Sequence, residues 1–333
     1  IVVGVLLVLF LFWRLAAVLL VVFAGILLAV FLDGLTMLIT RVTGMKRRGA
    51  LAIAIVIFFG FFALAGWLVG PPVGAQIAKL GDQIPGGLGS LRGFLEDRQW
   101  GREVLSWLPE SGEFPAVGTN VLKGVGGFFW TAGGVVANII LVLFIGIYLA
   151  VRPEMYVDNA IRLFPKKRRR RMGEVFKALG VALRWWLLGR AASMIIVGIL
   201  TALGLWIAGV PQPLALALIA AFLAFIPFLG PVLGAIPAML VALVESPIKV
   251  LYVILVFSIV QFLESYFITP LVQQRAVSMA PALLITVQII MAVLFGGLGV
   301  LLATPLAVVI IVLIQMLYIG DVLGDEMRVL GER

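Results

Sequence analysis

Two long apolar stretches dominate the hydrophobic pattern: LALALIAAFLAFIPFLGPVLGAIPAMLVALV from Leu214 and ALLITVQIIMAVLFGGLGVLLATPLAVVIIVL from Ala282. Each follows a proline, Pro213 or Pro281, carries a second proline 24 residues later, Pro237 or Pro305, and is broken midway by glycine. In the first, Pro227, Gly230, Pro231, Gly234 and Pro237 fall within eleven residues; in the second, Gly296, Gly297 and Gly299 mark the break. Proline removes a helical amide and clashes with the preceding turn, while glycine permits a tight reversal, so each stretch predicts a hairpin of two short helices. In lipid an unpaired backbone group is costly, and broken helices persist where they are buried in protein or line a cavity. The bland alternative is a tight turn with no ligand role.

Elsewhere the pattern predicts ordinary spans. Ile1–Phe31 is apolar apart from Arg14 and too long for one span, so a break at Trp13 and Arg14 is expected. Residues 1–70 then hold three N-terminal spans. Residues 71–127 read as an extracytoplasmic amphipathic segment, 128–151 as a fourth span, and 152–190 as a basic cytoplasmic interfacial region. Residues 191–320 form a transport core with hairpins at 213–245 and 281–318, and 321–333 a cytoplasmic tail. Ile1 lies inside an apolar run, which reads as an internal start, so no signal peptide is judged.

Composition sharpens this picture. With 63% apolar and 12% charged residues and a mean hydropathy of +1.20, the chain is polytopic and membrane-embedded. The net charge of +9 sits in short clusters beside apolar spans, which argues for topology rather than nucleic-acid binding. Arg41–Arg48 holds four basic residues and no acid, and Arg152–Arg190 is net +8 around KKRRRR at Lys166–Arg171; both belong inside. Pro71–Gly127 is net −1 and belongs outside. The basic cluster is read first as this topology signal, with lipid binding as the alternative. The chain is thus an all-α polytopic membrane protein of about eight membrane segments, its two re-entrant hairpins entering from opposite sides as an inverted repeat. The N- and C-termini are then cytoplasmic.

Candidate chemistry is sparse. There is no cysteine and no histidine, which removes thiolate ligands, the usual zinc ligand and the commonest general base. No phosphate loop, HExxH or paired catalytic carboxylates occur, so neither an enzyme nor a cofactor or metal site is expected. Ser258, Gln261, Glu264 and Ser265 recur at spacings that share a helical face, and Glu264 is the foremost candidate for an intramembrane ionisable group. The plainer reading pairs Glu264 with Arg190 or Arg275 near a span end. Gln288 and Asn138 can add uncharged hydrogen bonds to a ligand or hold helices together. Asp33 and Glu245, at expected span ends, read as structural.

The segments AFIPFLGPVLGAIPA from Ala224, VQFLESYFITPLV from Val260, FGGLGVLLATPLAVV from Phe295 and LYIGDVLGD at Leu317–Asp325 resemble the autoinducer-2 exporter family. The resemblance covers nearly the whole chain. It implies an eight-span bacterial or archaeal inner-membrane transporter, assembled as a homo-oligomer such as a pentamer, whose hairpin half moves as an elevator. Its implied cargo is a small polar solute such as autoinducer-2, or a monovalent cation (Na+ or Li+) exchanged for protons. A non-transporting scaffold and a channel are the readings from other classes. The family pattern points to Pro227, Gly230, Pro231, Gln261, Glu264, Thr269, Pro270, Gly296, Gly297 and Pro305. AVSMAP at Ala276–Pro281 departs from that pattern.

Overall fold

The computed structural model describes residues 2–68, 71, 132–268 and 280–325. Among them every regular element is helical: α1 (Val2–Thr43), α2 (Arg47–Leu68), α3 (Ala132–Val151), α4 (Pro153–Arg162), a 3-10 turn at Lys166–Arg168, α5 (Arg169–Ile207), α6 (Pro213–Leu223), α7 (Leu229–Glu245), α8 (Pro247–Leu263) and α9 (Pro281–Leu313). Segments of π-helix, Glu264–Ile268 and Ile314–Leu323, extend α8 and α9. By length and composition five described helices can cross a membrane, or six if the bent pair α3–α4 counts as one span. Apart from Pro71, the expected extracytoplasmic segment lies outside the described residues.

α1 runs unbroken past Trp13 and Arg14, where the hydrophobic pattern suggests a break. No proline or glycine lies between Val5 and Ala24, and one arginine does not interrupt the backbone hydrogen-bond ladder. α5 is likewise continuous across Ala191, where an interfacial segment would give way to a span. At 39 residues it measures about 58 Å, roughly twice a hydrocarbon core.

The described residues fall into two compact units, one drawn from Ile1–Gly60, Val136–Ala192 and Thr269–Arg333, the other from Phe61–Val135 and Ser193–Ile268. In the first, Ala29 and Leu32 of α1 pack with Leu51 of α2 and Ala150 of α3. The Asp33 carboxylate accepts hydrogen bonds from Arg47 Nη2 at 3.0 Å and Arg184 Nη2 at 2.7 Å, joining three helices. Arg47 also donates to the Ala150 carbonyl at 3.1 Å, satisfying one of the orphan acceptors at the end of α3. The structural reading of Asp33 thus gains a specific content.

At the polar start of α5, Arg171 donates to the Met316 carbonyl at 2.9 Å and pairs with Asp321 at 2.8 Å and Glu174 at 3.0 Å. One guanidinium ties α5 to the π-helix after α9. Its hydrogen bonds to Asp321 and then Glu174 raise its pKa further, and it holds the Glu174 carboxyl below its ordinary value.

In the second unit Leu205, Val210, Leu216, Ala238, Val241, Ala242 and Val253 form one core cluster contributed by α5, α6, α7 and α8. Lys249 donates to the Gly209 carbonyl at 2.8 Å and pairs with Glu245, which places Glu245 at the turn into α8.

Candidate functional site

The first hairpin closes between α6 and α7. Phe225 and Ile226 N–H groups bond back to Phe222 and Leu223 at 3.1 and 2.9 Å, tightening the end of α6. Leu229 N–H then donates to the Pro227 carbonyl at 2.8 Å across Phe228, whose φ of 63° and ψ of −49° make this the rare, strained form of γ-turn. A Cβ on Gly230 would lie 2.0 Å from the Leu223 carbonyl oxygen. Those residues are seven apart and would stand about 10 Å apart along a continuous helix. The chain therefore folds back on itself, and hydrogen at Gly230 is the only side chain that the approach tolerates. Gly234 continues the seam against Ala220, where an added Cβ would lie 3.1 Å from the Ala220 Cα. Pro231 sits in the first turn of α7, and Pro237 lies inside it, freeing the Leu233 carbonyl four residues back.

In the second hairpin one residue makes the reversal. α9 reads as a single 33-residue helix by hydrogen bonding, but Gly296 has φ 60° and ψ −143°, outside any helical region. A Cβ on Gly299 would lie 2.1 Å from the Met291 carbonyl oxygen, eight residues earlier. On a straight helix that separation is about 12 Å, so α9 is two arms, not one rod. Gly297 sits half-buried between these two constrained glycines, and Pro305 is buried in the second arm with Thr304 at 2% exposure. The backbone thus turns between α6 and α7 and again at Gly296.

The polar candidates separate into groups. In the second unit Glu264 begins the π-turn that ends α8 and is only 4% exposed. Ser193 of α5, at 3% exposure, donates its hydroxyl to Glu264 Oε1 at 3.2 Å. Gln261 is half-buried and donates through Nε2 to Ser265 Oγ at 3.1 Å, while its buried Oε1 has no hydrogen-bond partner among the described residues. The Glu264–Ser193 pair and the Gln261–Ser265 pair thus both fall at one helix end. Such a set can carry a proton or accept hydrogen bonds from a polar solute.

The polar stripe is not buried as a unit. Ser258 and Ser265 are exposed, whereas Val253, Val260 and Glu264 are buried, so the packed seam of α8 runs through the two valines to the carboxylate. Ser193 was not foreseen. It stands 71 residues from Glu264, and nothing in its local sequence singles it out from Thr201 on the same helix.

Gln288 belongs to the first unit, fully buried on the seam of α9 with Leu284 and Met291. Asn138 is in the same unit, exposed on α3. Arg190, also in that unit, is 4% exposed. Thr269, Pro270 and Arg275 lie outside the described residues. An open groove of about 440 Å³ beside the entry to the first hairpin is lined by Leu203, Trp206, Pro213 and Leu214 among others, and holds no ionisable residue. No group of His, Cys, Asp and Glu suited to a metal occurs among the described residues.

The chain matches the AI-2E family transporter model over residues 1–319. It is 29% identical over 300 residues to "Putative transport protein YueF" of Bacillus subtilis (strain 168), covering 86% of this chain and 80% of that one. It is 29% identical over 321 residues to "Putative transport protein MT0215" of Mycobacterium tuberculosis (strain CDC 1551 / Oshkosh), covering 92% and 85%. It is also 29% identical over 302 residues to "Putative permease PerM" of Escherichia coli (strain K12), covering 86% and 83%. The match runs over nearly the whole apolar, helical chain, and the chain belongs to the AI-2E family of transporters.

Proposed function

We propose that this protein is a secondary transporter that exports a small polar solute by alternating access, with Glu264 as its intramembrane titrating group. One observation carries the reading: Glu264 is withdrawn from solvent in a strongly apolar chain and meets a buried hydroxyl at 3.2 Å. An ionisable side chain buried inside a span is a functional candidate, because it needs a partner, water or a substrate beside it. The π-turn at Glu264–Ile268 supports the assignment, because such turns are frequent at functional positions.

The hairpins support the mechanism. α6 is about 16 Å long and the first arm of α9 about 22 Å, each short of a 30 Å hydrocarbon core, while the second arm runs on into the π-helix Ile314–Leu323. Re-entrant hairpins of opposite entry, related as an inverted repeat, account for such lengths. Eight membrane segments, a homo-oligomeric assembly and cytoplasmic termini complete the proposal. Exchange of a monovalent cation for protons is the second reading, favoured by the buried Gln261 Oε1 without a hydrogen-bond partner three residues from Glu264.

Flux into proteoliposomes under an imposed pH gradient tests both. Glu264→Gln should abolish pH-dependent flux while the protein elutes and melts as the wild type does. Unchanged coupling in that variant removes Glu264 from the mechanism. Counterflow of a neutral solute panel against Na+ and Li+ then separates export from antiport.

A further inference from the structure

The basic run Lys166–Arg171 is not a uniform block of charge, because the structure has already committed half of it. Arg169 donates to the carbonyls of Phe164 and Arg162, both at 3.1 Å, and so closes the turn that precedes α5. Arg171 is held by Met316, Asp321 and Glu174. Arg170 reaches Glu174 at 3.5 Å with its side chain 94% exposed. Lys166, Lys167 and Arg168 are exposed and have no carboxylate partner among the described residues.

The chain leading to them is shaped for an interface. α3 is apolar and uncharged, and at Arg152–Pro153 the backbone turns by 90° into α4. Proline has no amide to continue the ladder and keeps the residue before it out of helical conformation, which fixes the corner. If α3 stands across a bilayer, α4 lies along its surface. α4 has no buried residue; Tyr156, Val157, Ala160 and Ile161 occupy one side and Asp158, Asn159 and Arg162 the other. Just beyond it, Leu163 is 86% exposed, more than any other large apolar side chain among the described residues. A greasy residue left bare beside three unpartnered cations suits the boundary between acyl chains and headgroups, where both are satisfied together.

We infer that α4 and the turn Leu163–Arg168 form a binding surface for anionic phospholipid headgroups, with Lys166, Lys167 and Arg168 holding the phosphates and Leu163 seated among the acyl chains. Positive charge beside a span sets topology without selecting any lipid. The free cations here give a selective contact worth about fivefold in affinity for each one near the surface.

Native mass spectrometry of the purified full chain, offered equal phosphatidylglycerol and phosphatidylcholine, tests it. The wild type should retain phosphatidylglycerol preferentially and lose that preference in high salt. The variant K166Q/K167Q/R168Q should lose it by at least fivefold, and K166R/K167R should keep it. Should the triple variant fail to insert, the headgroup and salt comparison on the wild type and the charge-retaining variant still decides. Equal retention of both lipids, a preference that survives the triple substitution, or displacement of the lipid by soluble polyglutamate in favour of an acidic protein partner would each overturn the assignment.

Discussion

The two hairpins reach the same topology by different chemistry. In both, a glycine sits with its missing Cβ about 2 Å from a carbonyl oxygen of the opposite arm, at Gly230 over Leu223 and Gly299 over Met291. They part at the turning residue. The second uses Gly296, which reaches φ 60° at no steric cost and has open space around it. The first uses Phe228 in a strained γ-turn, a conformation that costs about 1–3 kcal/mol for a residue with a side chain. One tip is relaxed and the other stores strain. Stored backbone strain gathers where a conformational change releases it, which makes the first tip the stronger candidate for a moving part.

Substitutions can break or sharpen that contrast. The largest effects belong to the shared feature. Gly230→Ala and Gly299→Ala each drive a methyl into backbone rather than into a pliable side chain, so each should cost about 3 kcal/mol or more in thermal or SDS unfolding, or prevent folding. Tolerance of alanine at either site would mean that the arms are not so close. Gly296→Ala meets no neighbour and pays only for backbone conformation, so roughly 1–3 kcal/mol is expected by the same assay. The smallest effect should carry the opposite sign: Phe228→Gly relieves the γ-turn, offset by glycine's greater freedom in the unfolded chain, leaving a gain of at most about 1 kcal/mol. A loss at Phe228 as large as that at Gly296 would erase the difference between the tips.

Much of this was legible in the sequence because proline and glycine inside apolar runs have few innocent explanations. The reversals at Ala224–Phe228 and Gly296 fall where those residues cluster, and Glu264 shows itself as a lone acid in an apolar stretch. The division of labour among the glycines was not legible. FGGLG does not say that Gly296 serves conformation and Gly299 serves space, since both requirements select the same residue. Nor does it reveal Phe228, where local preference is overruled by the surrounding turn. Ser193 is hidden by distance along the chain, and the unbroken α1 because Trp13 and Arg14 suit an interface without interrupting the backbone ladder.

The contrast also guides how the hairpins are probed. Gly230 cannot carry a cysteine without disturbing the seam, whereas Leu229 and Leu294, close to the two tips, are exposed and can. The chain contains no native thiol, so each single cysteine reports alone. Labelling of Leu229→Cys and Leu294→Cys in oriented vesicles with a membrane-impermeant maleimide, from either side and at two pH values, tests alternating access most directly. Each thiol should be modified, with its side of access shifting with pH in the wild-type background and ceasing to shift when Glu264→Gln is added. Thiols at both tips that never react from either side, or sidedness indifferent to pH and to Glu264, would contradict it.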